Sequence, residues 1–434
     1  MSFGWKIGIW VGLGLFVLLA VLLLTGVFKP FEPNVQSANL VVWDVPAHER
    51  VMGQFFRDYA EQNPGVRIDY QTKSSDTYVS DLLEALASGA GPDIFLLDSA
   101  SLAKNQNKIA PLPSSSSLTQ DFLAKASDAI ASDLIDENRN LYGIPWSVDT
   151  LALYYNKDYL NAINVPEPPK TWVDFQDVSR RLTRRSPTGV IQRSGAAFGL
   201  GRNVVNAADI FSLLILQSNN PFYSKSDKQF HLNDAVVVND RSQKLGLSAL
   251  QFYAAFASPS SPYYTWNSSL PEAKEAFASG RAALYLGYAR ELPEIMARNS
   301  HLNFGIAPVP QLVAGDRTSY ASYEFFTVSK SSPVADAAWQ VLASLFDPAV
   351  EKNIVDQFAI PPARRDLVNE KPVDPILQPF YDQVLSARTW RIPDKTVARK
   401  IISDALDAVV GGVLTPDQAL DRIQTQLQLL VPRS

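Results

Sequence analysis

Apolar positions along the chain fall into two kinds of pattern. The first is continuous: Ile7 to Phe28 are 22 consecutive residues without a charge, between Lys6 and Lys29. At about 1.5 Å per residue a helix of that length reaches about 33 Å, the depth of a bilayer core. Trp5, Trp10 and Phe28 stand near its ends, where amphipathic rings favour the interface. The run exceeds the roughly 7–15 residues of a secretory-signal core, and Gln36-Ser37-Ala38 is a weak, distant cleavage site. The pattern predicts an uncleaved anchor over 1–29 with the N-terminus inside, and a cleaved signal is the competing reading. A polar tether with two prolines, residues 30–38, follows.

The second pattern alternates between strand and helix. Leu40–Val45 is a short β-rich apolar run, as in a strand covered on both faces. Val51, Phe55, Phe56 and Tyr59 have helical spacing within 47–62, and Asn63-Pro64-Gly65 stops that helix. Residues 66–72 read as a second strand. Ser75 or Asp76 is expected to cap a helix carrying Val79, Leu82, Leu83 and Leu86 and ending at Gly89. Residues 93–98 read as a third strand. Such alternation with short connections predicts parallel right-handed crossovers in an open α/β sheet, where ligands bind outside the carboxyl ends of the strands. Further on, 151–156, 302–310 and 325–328 read as strands. Thr171 caps a helix from Trp172, 184–194 reads as a polar loop, and helices are expected over 207–217, 249–256, 272–277 and 333–346. The C-terminal third reads as helical, interrupted by Pro361-Pro362 and Pro393.

Composition narrows the function. The 434 residues are 46% hydrophobic and include 8 Trp, 16 Tyr and 22 Phe, ample for a large core and unlike a disordered chain. There is no cysteine, which excludes disulfides, thiolate metal sites, a thiol nucleophile and a lipidated cysteine. Three scattered histidines, His48, His231 and His301, argue against a histidine metal site. The net charge of −5 disfavours nucleic acid as a partner. Beyond Pro30, 37 basic residues face 44 acidic ones, so the tethered body does not read as a binder of membrane surfaces. No nucleophile elbow, phosphate loop, zincin helix or calcium loop occurs, and Gly199-Leu200-Gly201 lacks the third glycine of a nucleotide loop. Asp44, Asp98, Asp149 and Glu324 could form an acid–base pair only if two of them converged. The chain therefore reads as a non-enzyme without cofactor or metal.

Ten segments appear in the order known from one family. They are LVVWD, YAEQNPGVRIDY, LLEALASGAGPDIFLLD, YGIPWSVDTLALYYNKDYL, PPKTWVDF, EAFASGRAALYLGYA, APVPQ, FTVSKSSPVADAAWQVLASL, IPPARRDL and VLTPDQALDRIQTQL. From Asn39 to Leu430 the chain resembles the extracellular solute-binding proteins of ABC importers, in the carbohydrate-binding branch that includes maltose-binding protein. The resemblance implies an α/β fold of two lobes joined by hinge-crossing strands. Lobe one would hold 39–148 and 314–347, and lobe two 150–312 and 350–434. It also implies a small-molecule ligand, expected to be a carbohydrate, delivered to ABC permease subunits. The body would lie on the extracytoplasmic side, held to the membrane through 7–28. A peptide, polyamine or other small solute on the same fold is the alternative, as is a sensory ectodomain. With only Met1–Lys6 on the inner side, a sensor would signal through a partner.

Sugar recognition pairs flat aromatic rings with carboxylates, amides and guanidinium groups in planar hydrogen-bond geometry. The candidates are therefore aromatic and charged residues at strand ends and hinge turns. Trp43 and Asp44 end the first strand, and His48, in the first helical turn, is a weaker candidate. Asp98 and Ser99 end the third strand, with helix capping the competing role for Asp98. Trp146 and Asp149 flank the first hinge crossing, and Asp149 stands where maltose-binding protein has an acidic ligand contact. Trp266 lies in a polar aromatic loop. Tyr288 and Arg290 follow Gly287, where maltose-binding protein has a stacking tryptophan instead, which leaves the type of sugar open. Tyr323 and Glu324 precede a lobe-one strand. Arg364, with a structural ion pair as its competing role, and Trp390 are placed on the far rim. Trp172 and Trp339 read as core.

Overall fold

The computed structural model describes residues 37–431 apart from 221, 225, 226, 239 and 390–393. The expected anchor over 1–29 and the candidate Trp390 lie outside the described residues. Among the described residues no helix is long and apolar enough to cross a membrane.

The expected strand–helix alternation builds a five-stranded sheet. Its order is Val66–Thr72, Ala38–Asp44, Ile94–Asp98, Glu324–Val328, Ile144–Pro145. The first three strands are parallel and the last two antiparallel to their neighbours. The strand Ile94–Asp98 is apolar from Ile94 to Leu97, and these four residues are buried, as in a strand covered on both faces. The helix between the second and third strands starts one residue later than expected. Thr77, not Ser75 or Asp76, is its N-cap, and no side chain caps it. Gly89 ends it at φ +75°, a left-handed conformation that glycine adopts without a Cβ clash.

A second five-stranded sheet has the order Phe304–Pro308, Ala152–Asn156, Ala282–Gly287, Ile191–Ala196, Arg184–Arg185. The segment 184–194, expected as a loop, supplies two of these strands. Its apolar signal is weak because Ser194, Gly195 and Ala196 are small. They are buried against the helix Trp172–Leu182, and a Cβ on Gly195 would run into the Ser179 carbonyl. Packing that close needs small residues, so a polar composition hides a core strand. Thr171 caps that helix in a capping box with Asp174 as expected, and Trp172 and Trp339 are both core.

Each sheet has its own core. One joins Val42, Phe56, Phe95, Ile144, Phe325 and Trp339. The other joins Leu153, Phe175, Phe198, Phe211, Tyr285 and Ile402. Ile354, Ala363, Val368, Val384 and Ala387 pack into the first core although they belong to 350–434, the segment assigned to lobe two. The chain passes between lobes through a three-stranded sheet of Ala387–Arg388, Ser319–Ser322 and Asp149–Thr150. Ser322 pairs there with Asp149, and Ala321 with Thr150.

Candidate functional site

A cavity of about 690 Å³ opens where the two hinge crossings meet. Trp146, Ser147 and Asp149 line it from the first crossing, and Ser322, Tyr323 and Glu324 from the second. Asp98, at the carboxyl end of its strand, and His48 and Arg50, at the start of the first helix, add polar groups from lobe one. Phe358 and Ile360 come from the end of the helix Pro348–Phe358 and the turn beyond it. Lobe two adds Arg290, just past the strand Ala282–Gly287, and Lys395 and Arg399 from the helix Lys395–Val410. The cavity thus sits beyond the carboxyl ends of strands from both sheets.

On the lobe-one wall His48 stands between two carboxylates. Its Nδ1 donates to Asp44 Oδ1 at 2.8 Å, and its Nε2 faces Glu324 Oε2 at 3.3 Å. Asp44 is fully buried and also accepts the Val45 N–H at 2.7 Å and the Tyr70 hydroxyl at 2.8 Å. Burial opposes a charge on His48, but the hydrogen bonds to Asp44 and Glu324 outweigh it and lift its pKa to about 10. Burial acts to raise Glu324, and His48 holds it below its ordinary value. Glu324 pairs with Asp98 across the sheet. Two facing carboxylates repel. His48 offsets Glu324, while Asp98 caps the turn after its strand, accepting from Ala100 N, Ser101 N and Ser101 Oγ at 2.8–3.1 Å.

At the hinge, Asp149 Oδ1 accepts the Ala289 N–H at 2.9 Å and its Oδ2 the Arg290 N–H at 3.1 Å. Burial raises the Asp149 carboxyl above its ordinary value, against the pull of Arg290 and these N–H groups. On the lobe-two wall Arg399 pairs with the buried Asp209, which also accepts the Tyr288 hydroxyl at 2.7 Å. Burial opposes the charge on Arg399, and Asp209 more than compensates. Trp146 is 2% exposed and wedged against His48 and Phe326, with ring centroids 5.1 and 5.3 Å away. Among the described residues its Nε1 has no acceptor.

Seven of the sequence candidates meet at this cavity: His48, Asp98, Trp146, Asp149, Arg290, Tyr323 and Glu324. The structure places the other described candidates elsewhere. Trp43 is half-buried under the Lys73 ammonium, 4.2 Å from its ring. Asp44 lies behind His48. Ser99 ties the turn after the strand Ile94–Asp98 to the second crossing, its N–H donating to the Tyr323 carbonyl at 2.9 Å. Trp266 is not an exposed stacking ring: it is fully buried in the lobe-two core, where its Nε1 donates to Asn203 at 2.9 Å. Tyr288 is also fully buried, and the Arg290 guanidinium covers its ring at 4.0 Å. Arg364 takes its structural role, donating to Phe346 O at 2.6 Å and to both oxygens of Asp366.

Lys395 and Arg399 were missed although their spacing of four puts both on one helix face. That signal was readable, but nothing local shows that the face meets the cleft. Phe358 and Ile360, beside the IPPARRDL segment, were missed for the same reason.

Residues 44–352 match the family model described as bacterial extracellular solute-binding protein. The chain is 23% identical over 394 residues to the galactooligosaccharide-binding protein of Bacillus subtilis, covering 89% of this chain and 88% of that protein. It is 21% identical over 394 residues to the maltotriose-binding protein of Pyrococcus abyssi, covering 88% and 77%. Its fold is that of the sugar-binding protein MalE from Xanthomonas citri, with a TM-score of 0.75 at 20% identity over 91% of this chain and 97% of that one. The cyclic α-maltosyl-1,6-maltose-binding protein of Arthrobacter globiformis has the same TM-score at 18% identity, over 91% and 99%. The match to the family model spans more than half of the sequence, and the chain belongs to the bacterial extracellular solute-binding proteins.

Proposed function

We propose that the chain is an anchored extracytoplasmic receptor that binds a sugar or oligosaccharide between its lobes and hands it to an ABC importer. The observation that carries this reading is the cavity at the hinge, in which Trp146, Tyr323 and Phe358 alternate with charged groups from both lobes. Aromatic faces suit the apolar faces of pyranose rings, and convergent charged groups suit their hydroxyls. The names of the relatives from Bacillus subtilis and Pyrococcus abyssi support the same ligand class. Ligand that contacts both walls binds the closed arrangement better than the open one and shifts the population toward it. The uncharged run Ile7–Phe28 would hold the receptor near its transporter and raise the effective concentration.

The test is thermal unfolding of the full chain against neutral and acidic oligosaccharides, monosaccharides, peptides and polyamines. Free ligand at about 100 times its dissociation constant adds about 2.7 kcal/mol of stability. A shift with glycans that shrinks in Glu324→Gln supports the reading. A shift with peptides or polyamines alone overturns the ligand class.

A further inference from the structure

The lobe-two wall of the cleft carries three cations, Arg290, Lys395 and Arg399, and they are neutralised unequally. Arg399 is paired with the buried Asp209. Arg290 reaches Asp149 through one nitrogen at 3.4 Å, and its side chain is 46% exposed. Asp149 already serves two backbone N–H groups. Among the described residues no carboxylate lies within ion-pair distance of Lys395; its Nζ donates to Ser322 Oγ at 3.1 Å. Burial acts against the Lys395 charge, as do Arg399 and Arg290, and Asp98 and Asp209 favour it only from a distance. The oxygens of Asp98 are taken up by its cap.

Closing the lobes over a neutral sugar would take water from Lys395 without supplying a counter-charge, and desolvating an unpaired ammonium is costly. A carboxylate on the ligand removes that cost. It would meet a point charge from Lys395 and the open side of the Arg290 fork, which suits planar carboxylates. The opposite wall carries the Glu324 carboxylate, which suits hydroxyls and repels a second carboxylate, so the charges also orient the ligand. We propose that the cleft selects an oligosaccharide bearing a carboxylate, with Lys395 and Arg290 as its counter-charges. The inference rests on the sugar-binding reading above and narrows it to acidic glycans.

The test compares calorimetric binding of trigalacturonate and trimannuronate with that of galactotriose and maltotriose, using the full chain. The expected result is at least about tenfold tighter binding of an acidic trisaccharide, about 1.4 kcal/mol. That advantage should shrink as salt rises from about 0.05 to about 0.5 M, because exposed charges are screened. Lys395→Gln and Arg290→Gln should each cost the acidic ligand at least about tenfold more than they cost a neutral one. Unliganded melting temperatures of both variants separate this loss from unfolding. Neutral trisaccharides binding as tightly as acidic ones, or both classes weakened equally by Lys395→Gln, would overturn the inference and leave the sugar reading standing. Binding by no glycan of either class would overturn both.

Discussion

Asp149 accepts the backbone N–H of Arg290 and also meets its guanidinium, so one buried carboxylate at the hinge fixes both the path and the side chain of a lobe-two turn. Asp149→Ala leaves the Ala289 and Arg290 N–H groups unpaired and removes the nearest counter-charge of Arg290. The expected loss is about 2–5 kcal/mol in urea unfolding. Asp149→Asn keeps one acceptor and should lose less. Equal stability of Asp149→Ala and the parent chain would show that this carboxylate does not hold the turn.

Trp146 lines the cleft but is nearly as buried as any core residue. Trp146→Ala should therefore destabilise the unliganded protein by about 3–5 kcal/mol, as other large-to-small core changes do. Trp146→Phe should cost less, since it keeps a ring against His48 and Phe326. Melting curves without ligand distinguish this from a pure binding role, for which both variants would melt like the parent.

Two buried groups give stability the same dependence on pH. Glu351 Oε1 accepts the N–H groups of Ala363 and Arg364 at 2.6 and 3.0 Å, and its Oε2 has no partner among the described residues. Burial lifts its pKa from 4.5 to about 8 against the pull of those N–H groups. An acid raised in the fold contributes stability that is present below 4.5 and lost as pH rises through about 8. His48, raised from 6.5 to about 10, contributes stability present below 6.5 and lost as pH rises through about 10. These two groups should thus lower the unfolding free energy progressively from about pH 4.5 to about pH 10. Glu351→Gln should flatten the lower part of the fall and Asp44→Asn the upper part. A pH profile unchanged by either substitution would contradict the assignment.

Lys104 Nζ lies 2.8 Å from Asp394 Oδ2, linking a helix of the lobe-one core to the N-cap of the helix Lys395–Val410 in lobe two. The lysine is 52% exposed, so the pair is worth about 0.2–1 kcal/mol. Lys104→Ala should speed ligand release by about 1.4–5-fold at low salt, with the difference vanishing at about 1 M salt. Stopped-flow release rates at both salt concentrations check this. A large, salt-independent change would mean that Lys104 acts on the ligand by another route.

The alternation of strand and helix, the Thr171 cap and the stop at Gly89 were legible because each rests on local chemistry: residue period, capping oxygens, and glycine's freedom at positive φ. Asp149 and Trp146 were cleft candidates through the family resemblance, Tyr323 and Glu324 because they precede a lobe-one strand, and Asp98 because it ends one. Local composition misled at Trp266, which sits in a polar loop that suggested exposure, and the resemblance misled at Tyr288; Asn203 and Asp209, more than 60 residues away, supply buried partners for their polar atoms. The segment 184–194 misled in the opposite sense, since small residues that permit close helix packing carry no apolar signal.

By itself the sequence determined where most of the elements lie, because these follow from period, caps and apolar mass, while the two lobes and their hinge were expected only from the family resemblance. The tertiary structure alone decided which side chains meet across the cleft. His48 stands between Asp44 and Glu324, and Lys395 and Arg399 reach the wall facing Asp98, only because segments hundreds of residues apart are packed at one hinge. Electrostatic environment depends on that distance and burial, and neither is written in the local pattern of a chain.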